Sequence, residues 1–477
     1  MPNFQHVFYC YDKYLCHTLR CVFIFTTALL ALTLSGISFA KNSYAKNDKQ
    51  SHEVLTLTKA IRIAQQQDPW LVGNRYQEAA LTAQSIAANT LPDPKVSLGL
   101  ANLATDSLAF DQEAMTQFKL GVSQVFPRGE SLALRQQQLN KQSQQYPYLR
   151  ENRRLNTALA VGKLWLGAYK VQQSIALIEQ NRSLFEQLAD VAQVGYSSTV
   201  GKTRQQDVVQ AQLELTRLDD RLNQLMLKKR QLEGQLIKWL IKEHTNASSH
   251  ESAQTATEFS KIQDLDFGNE LPEISWTSEV SQSTQPQSWQ ALAPLLKNHP
   301  SIKALEKSIS ASKIGIRLAE QKYQPQWGVS ASYGYRDSDP YGNDRSDLFS
   351  VGVTFDVPLF TSNRQDQQVK SAVAQSEAIK TEKRILLREL FGRYVEAYGQ
   401  LQQLRNRKTL FKNQLLPQIH DQAESSLTAY THDDGSFSAV VRARISELNV
   451  QIDYLALNVE QQKIHLILNY IFAGAQQ

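Results

Sequence analysis

Few side chains in this sequence could do chemistry. Past residue 40 there are seven His and no Cys. No two His show the H-E-x-x-H spacing that holds zinc, and there is no G-x-S-x-G nucleophile, phosphate-cradling loop or dinucleotide fingerprint. His432-Asp433-Asp434 groups three possible metal ligands, but beside Gly435 they read first as a solvated turn. Met115 and Met226 are the only Met beyond Met1, too few for a ladder of soft-metal ligands. Asn246-Ala247-Ser248 is a glycosylation acceptor by letters alone. The expectation is a protein that is not an enzyme and has no cofactor and no metal site. Two other sets of residues stand out by position. Lys119, Ser123, Ser330, Ser332, Thr354 and Asp356 fall on the polar phase of alternating segments. Tyr196, Gly201, Asp207, Tyr430, Gly435 and Arg442 surround two turns.

The elements that must position them are long. The 477 residues include only 20 Gly and 14 Pro, so turns are scarce. A formal charge of +5 is too mild to argue for nucleic acid. Lys13 and Arg20 precede an apolar run from Cys21 to Leu34, and Ser38-Phe39-Ala40 follows. This pattern predicts a secretory signal over 1–40, cleaved after Ala40; as a membrane anchor the run is short. Cys10, Cys16 and Cys21 all lie in it, and none follows the run, where a lipid anchor would need it. Past residue 40 no run of 18 apolar residues occurs, which excludes a helical membrane protein.

A duplication is written in prolines and glycines. Pro69 and Pro300, Pro94 and Pro325, Pro127 and Pro358, and Gly121 and Gly352 share one offset of 231 residues. Two structural repeats are expected, 41–240 and 291–470, with a spacer over 241–290 and a tail over 471–477. Each repeat reads as helix, two strands and a long helical hairpin. The first has a helix over 54–90, strands over 95–103 and 117–126 and a hairpin over 129–240; the second has 291–323, 327–335, 348–357 and 362–470. In the strands, Val96, Leu98 and Leu100, and likewise Val351, Val353 and Phe355, alternate with small or polar residues. A soluble half-buried sheet gives the same alternation. The hairpins add leucines at coiled-coil spacing, such as Leu215, Leu218, Leu222 and Leu225. Four strands cannot enclose a pore in lipid, where an open edge costs several kcal/mol per unpaired backbone group. If they span a membrane, several chains must share one barrel; the residues alone leave two, three or four chains open.

These features together resemble the TolC family of outer-membrane efflux ducts. The resemblance covers nearly the whole chain past residue 40. It rests on the duplication, Leu91-Pro92-Asp93-Pro94 before the first strand, Gly121 to Pro127 at the exit of the second, and the turns Gly195 to Gly201 and Ala429 to Gly435. It implies a mixed α/β membrane protein: a trimeric 12-stranded outer-membrane β-barrel, four strands per chain, continued by a long periplasmic α-helical barrel. It also implies partners, namely a periplasmic adaptor (membrane fusion) protein and an inner-membrane RND-type pump, together with outer-membrane lipid and no nucleic acid. The tip residues would then form the gate. Asp207 matches an acidic position that can ring it, whereas Ala439 and Arg442 stand where acids often occur, and an Arg ring would repel cations. The segment from Asn102 to Gly129 looks like the branch serving heavy-metal resistance, so metal cations are one expected cargo and drug-like small molecules the other. The spacer would form an equatorial girdle, partly strand and short helix. A periplasmic coiled-coil adaptor is the rival reading; it would show one hairpin flanked by compact β domains.

Overall fold

Proline sets the same break twice. Asp68-Pro69 and His299-Pro300 each close one helix and open the next, because proline has no N–H for the preceding turn and fixes φ for a new one. Asp68 caps its helix by accepting the Trp70 N–H at 3.1 Å, and His299 accepts that of Ser301 at 3.3 Å. The single helices expected over 54–90 and 291–323 are therefore pairs: α1 (Leu57–Gln66) with α2 (Pro69–Ala87), and α6 (Trp289–Leu296) with α7 (Pro300–Glu320).

The computed structural model describes residues 54–197, 204–241, 265–276, 285–432 and 435–474, all within one compact unit, Glu53–Gln477. The expected signal segment 1–40, Gly201, and Asp433 with Asp434 lie outside the described residues. Among the described residues no helix is long and apolar enough to cross a membrane.

The remaining elements follow in chain order. Strands β1 (Lys95–Ala101) and β2 (Gln117–Phe126) lead to helices α3 (Ser131–Ser143), α4 (Tyr146–Ser197) and α5 (Gln205–Leu240). After α7, strands β3 (Trp327–Tyr335) and β4 (Leu348–Phe355) lead to α8 (Gln365–Leu410), α9 (Leu416–Thr431) and α10 (Phe437–Ile471). β1 stops short of the expected residue 103 because Asn102 turns to φ 56°, and β4 stops short of 357 as the chain nears Pro358. The hairpin expected over 129–240 is broken after Ser143, with Pro147 taken into the first turn of α4. Between α8 and α9 the helix widens to a π turn over Phe411–Leu415. Pro417 lies just beyond, and its missing N–H and bulky ring rule out regular α bonding there.

Strands and helices keep one lateral order. The sheet runs β1-β2-β3-β4, antiparallel throughout. Below it α2 packs on α3, α3 on α7 and α7 on α8, so each strand is continued by its own helix in the same sequence. Further on, α4 packs with α5 and α10, and α10 with α8 and α9. Apolar clusters hold these layers at successive stations. One gathers Ala60, Val161, Trp165 and Leu236; another Leu296, Ile302, Tyr394 and Leu468; a third Ile178, Leu218, Val440 and Leu448.

The described parts of the spacer are fastened to the helices. Of the residues expected as spacer, 241, 265–276 and 285–290 are described, and of these Trp289 and Gln290 begin α6. Phe267 is buried edge-on to Trp165, and the Tyr169 hydroxyl donates to the Asn269 carbonyl at 3.0 Å. Farther along, the Ile274 N–H donates to Gln462 at 2.8 Å and Trp276 packs on Phe472. The segment thus ties α4 of the first repeat to α10 of the second.

The chain end closes on the second proline corner. His299 is fully buried, with Nε2 donating to the Tyr470 carbonyl at 3.1 Å and Nδ1 facing the Ser301 hydroxyl at 2.6 Å. A methyl group at Gly474 would run into the Asn298 carbonyl, so only Gly fits there. Desolvation pulls the His299 pKa from 6.5 down to about 4. A depressed imidazole pKa leaves stability complete above 6.5 and erodes it as the unfolded chain takes up the proton on the way down to about 4. The loss is on the order of 3 kcal/mol. Thermal unfolding of the purified protein between pH 7 and pH 4 should therefore be less pH-sensitive in His299→Asn, which keeps a capping oxygen, than in the parent; equal slopes would refute this assignment.

Candidate functional site

The sheet has two chemically distinct faces across all four strands, with Gln124 beside Val329 a polar exception on the apolar face and Val125 beside Gly328 an apolar one on the other. Val96, Val122, Ala331 and Val351 stand in one row; Leu98, Leu120, Tyr333 and Phe349 stand in another. Phe126, Trp327 and Phe355 form a third at the helical end, where Trp327 and Phe355 lie 5.1 Å apart. At the opposite end Phe118 pairs with Tyr335, which stacks on Phe110 at 6.3 Å. This face is thus aliphatic in the middle and aromatic at both ends. It is also exposed: Val96, Leu98, Phe349 and Val351 each keep about two thirds of their surface or more.

The other face is small and polar, and it brings five of the six expected lining residues directly into register rows. Lys119 lies between Gly99 and Gly334, Ser123 between Lys95 and Ser330, and Ser332 between Gly121 and Ser350. Thr354 lies opposite Gly328. The sixth, Asp356, follows the same phase one step past β4; it accepts the Gln326 N–H at 2.6 Å and pairs with Arg128. Side chains crowd together here. A Cβ at Gly121 would come within 2.6 Å of Ser97 Oγ, and one at Gly328 within 2.7 Å of Thr354 Oγ1. Such crowding suits the concave side of a curled sheet. The only charges within the four strands are Lys95 and Lys119, both on this face.

Of the expected tip residues, Tyr430 joins an apolar core shared by the two hairpins. Ala192 and Val208 of the first hairpin cluster with Phe437 and Val440 of the second, and Tyr430 packs against the same group. Tyr430 meets Phe437 edge-on at 5.7 Å. Gly435 is needed for packing: a Cβ there would lie 2.8 Å from the Tyr430 nitrogen. Tyr196 is half exposed near the end of α4. Asp207 takes a structural role, its carboxylate accepting the Arg204 N–H at 3.0 Å at the start of α5. Arg442 is exposed between buried Val441 and Ala443. His432, singled out as a possible metal ligand, sets its Nδ1 2.9 Å from the Thr428 carbonyl.

A charged network escaped the sequence reading. Arg444 of α10 reaches Glu447 at 2.9 Å and Glu424 of α9 at 2.7 Å, and His420 of α9 meets Glu447 at 2.7 Å. The hydrogen bond to Glu447 raises the His420 pKa above its ordinary value. Only the Arg444–Glu447 spacing of three was visible in sequence; the links across the hairpin join residues 20 and 27 apart.

Comparison with known proteins follows the same outline. Residues 291–468 match the outer membrane efflux protein family. No curated protein matches the chain significantly. The outer-membrane channel OprN superposes with a TM-score of 0.69 at 13% identity, covering 88% of this chain and 90% of that one. The outer membrane channel CmeC of Campylobacter jejuni gives 0.67 at 14% identity, covering 88% and 85%. The outer membrane protein VceC of Vibrio cholerae gives 0.65 at 15% identity, covering 87% and 95%. Residues 291–468 are thus similar to the outer membrane efflux protein family, the chain has the fold of outer-membrane channels over most of its length, and the TolC-family resemblance of its sequence holds.

Proposed function

We propose that this protein is the outer-membrane duct of a tripartite efflux system. The observation that carries the reading is the two-faced sheet, apolar with aromatic belts at both ends on one side, crowded and polar on the other, with both edge strands open. Strands of 7 to 10 residues suit a tilted crossing of the outer membrane. The aromatic ends match the two headgroup levels. Joining β4 of one chain to β1 of the next closes a barrel, and three chains give 12 strands. Because α2 and α8 lie under those same edges, one closure extends the wall into the periplasm as a helical barrel. A periplasmic adaptor and an inner-membrane pump meet the hairpin tips. The duct itself is passive and performs no reaction. Its gate opens when adaptor contact favours a splayed arrangement of the tips over the packed one.

Metal cations are the cargo suggested by the segment from Asn102 to Gly129. In the fold that segment supplies β2, whose polar face carries Lys119 and no carboxylate. A lysine lining repels cations, so small organic molecules are the better supported cargo.

Two experiments test these readings. All three Cys fall within residues 1–40, so engineered thiols past that segment have no native competitors. Ser97→Cys paired in turn with Ser350→Cys, Gly352→Cys or Thr354→Cys should yield, in one register, an oxidised trimer that resists sodium dodecyl sulfate. Only monomer in every pairing, with monomer mass in mild detergent, would refute the shared barrel. At the gate, Arg442→Glu should shift single-channel selectivity toward potassium by several-fold, whereas Asp207→Asn should mainly lower stability through the lost charge at its cap, by about 1 kcal/mol. Unchanged selectivity in Arg442→Glu would remove that residue from the gate.

A further inference from the structure

Where the sheet meets the helices, a cavity of about 590 Å³ opens beside the strand ends. Its size is that of a small-molecule site. Arg128, Arg135, Lys322 and Arg364 line it, and no carboxylate does. Leu132 and Leu318 add apolar wall. Arg128 bonds the Gln324 carbonyl at 2.7 Å and pairs with Asp356. Asp356 continues the polar phase of β4, so Arg128 sets the cavity on the polar face of the wall. Among the described ion pairs, none joins Arg135, Lys322 or Arg364 to a carboxylate; Arg135 instead donates to neutral Gln138 at 3.0 Å. Of the acids on the neighbouring elements, Glu130 stands 3.8 Å from Arg317, and Asp366 accepts the Tyr323 hydroxyl at 2.6 Å. Gln365, only 8% exposed, also lines the cavity, and its Oε1 has no hydrogen-bond partner. A buried carboxamide with an unused valence is costly unless something meets it, and turned about its last bond it offers an N–H to an anion.

We infer that this cavity is an anion site on the inner wall of the duct, a waystation for amphipathic organic anions passing through it. The inference rests on the duct reading and names its cargo class. A sulfonate, phosphate or carboxylate head would sit among the guanidinium and ammonium groups, which hold such heads by charge-assisted hydrogen bonds. An attached apolar body would lie on Leu132 and Leu318. Lys95 and Lys119, farther along the same face, extend the positive lining into the barrel. The loops at the far strand ends bear acids such as Asp106, Asp337 and Asp339, so the positive potential belongs to the junction and barrel, not to the whole passage.

The test uses the full-length protein in planar bilayers. Wild-type channels should prefer chloride over potassium, and 8-anilinonaphthalene-1-sulfonate should block them, whereas an aromatic cation of similar size should not. In R135Q/K322Q/R364Q the block should weaken at least tenfold and the ion preference fall, while the lysine-for-arginine pair R135K/R364K should keep both. Arg128 is left intact because its pair with Asp356 joins the sheet ends. Should the triple variant fail to form trimers, R364Q alone must show the same direction of change. Block and selectivity unchanged in a conducting, trimeric variant would overturn the anion site while leaving the duct intact. So would phospholipid retained by the wild type and lost from the variant without any change in block, since the cations would then serve a lipid headgroup. Absence of any wild-type conductance would strike at the duct reading itself.

Discussion

The structure depends on the hydrogen bonds that β1 and β4 do not make within the chain. Both are edge strands of a four-stranded sheet, and each presents backbone N–H and C=O groups with no neighbour on the outer side. Water would satisfy them, but the same sheet exposes a face of Val, Leu, Phe, Tyr and Trp. Burying that face in hydrocarbon removes the water, and each edge group then costs several kcal/mol unless another strand meets it. The two demands conflict in a single chain and are reconciled only by closure with further copies. An isologous pairing, β1 to β1 or β4 to β4, would leave the other edge exposed; repeated β4-to-β1 contact leaves none.

Closure of the sheet sets the geometry of the helices. Since α2, α3, α7 and α8 keep the order of the strands above them, the chain's open edges lie along one line from the sheet down through the helices. The interior of each protomer is built independently of that line. The cluster around Trp165, the fastened spacer and the His299 corner join the first repeat to the second within one chain. A protomer can thus hold its helices together while its sheet still awaits partners. The tips differ, because their core is a thin apolar layer shared by two hairpins and their charges are arranged in pairs across helices. Thin packing at the end of long helices suits a part that must move.

What the sequence made legible was whatever repeats at short range. Alternation located the strands to within two residues, since side chains on a pleated sheet change face at every step. The matched prolines marked strand entries and strand exits. The break before Pro69 was signalled by Asp-Pro yet outweighed by helical spacing on either side, although a proline at the first helical position is a start signal. Contacts between distant segments were not legible. The spacer's polar composition reads as a linker, but Phe267 and Trp276 anchor it to helices a hundred or more residues away in either direction. The basic cavity is drawn from α3, the end of α7 and the start of α8, and only the fold makes them neighbours.

Charge placement then decides where a passing molecule is discriminated. Asp207 faces the positive end of its own helix, which offsets part of its field, and Glu424 and Glu447 lie against Arg444. Paired charges project little potential into water beyond a Debye length of about 8 Å. Among the described residues at the tip, Arg442 stays exposed outside these pairs; on the proposed reading this suits a gate set by packing more than by charge. At the junction, Arg135, Lys322 and Arg364 surround a recess walled by protein, where a lower dielectric strengthens each interaction. A field focused in a recess acts on a solute more strongly than the same charges on an open surface. On the proposed reading, discrimination by charge belongs at the base of the barrel, and opening and closing belong at the tip.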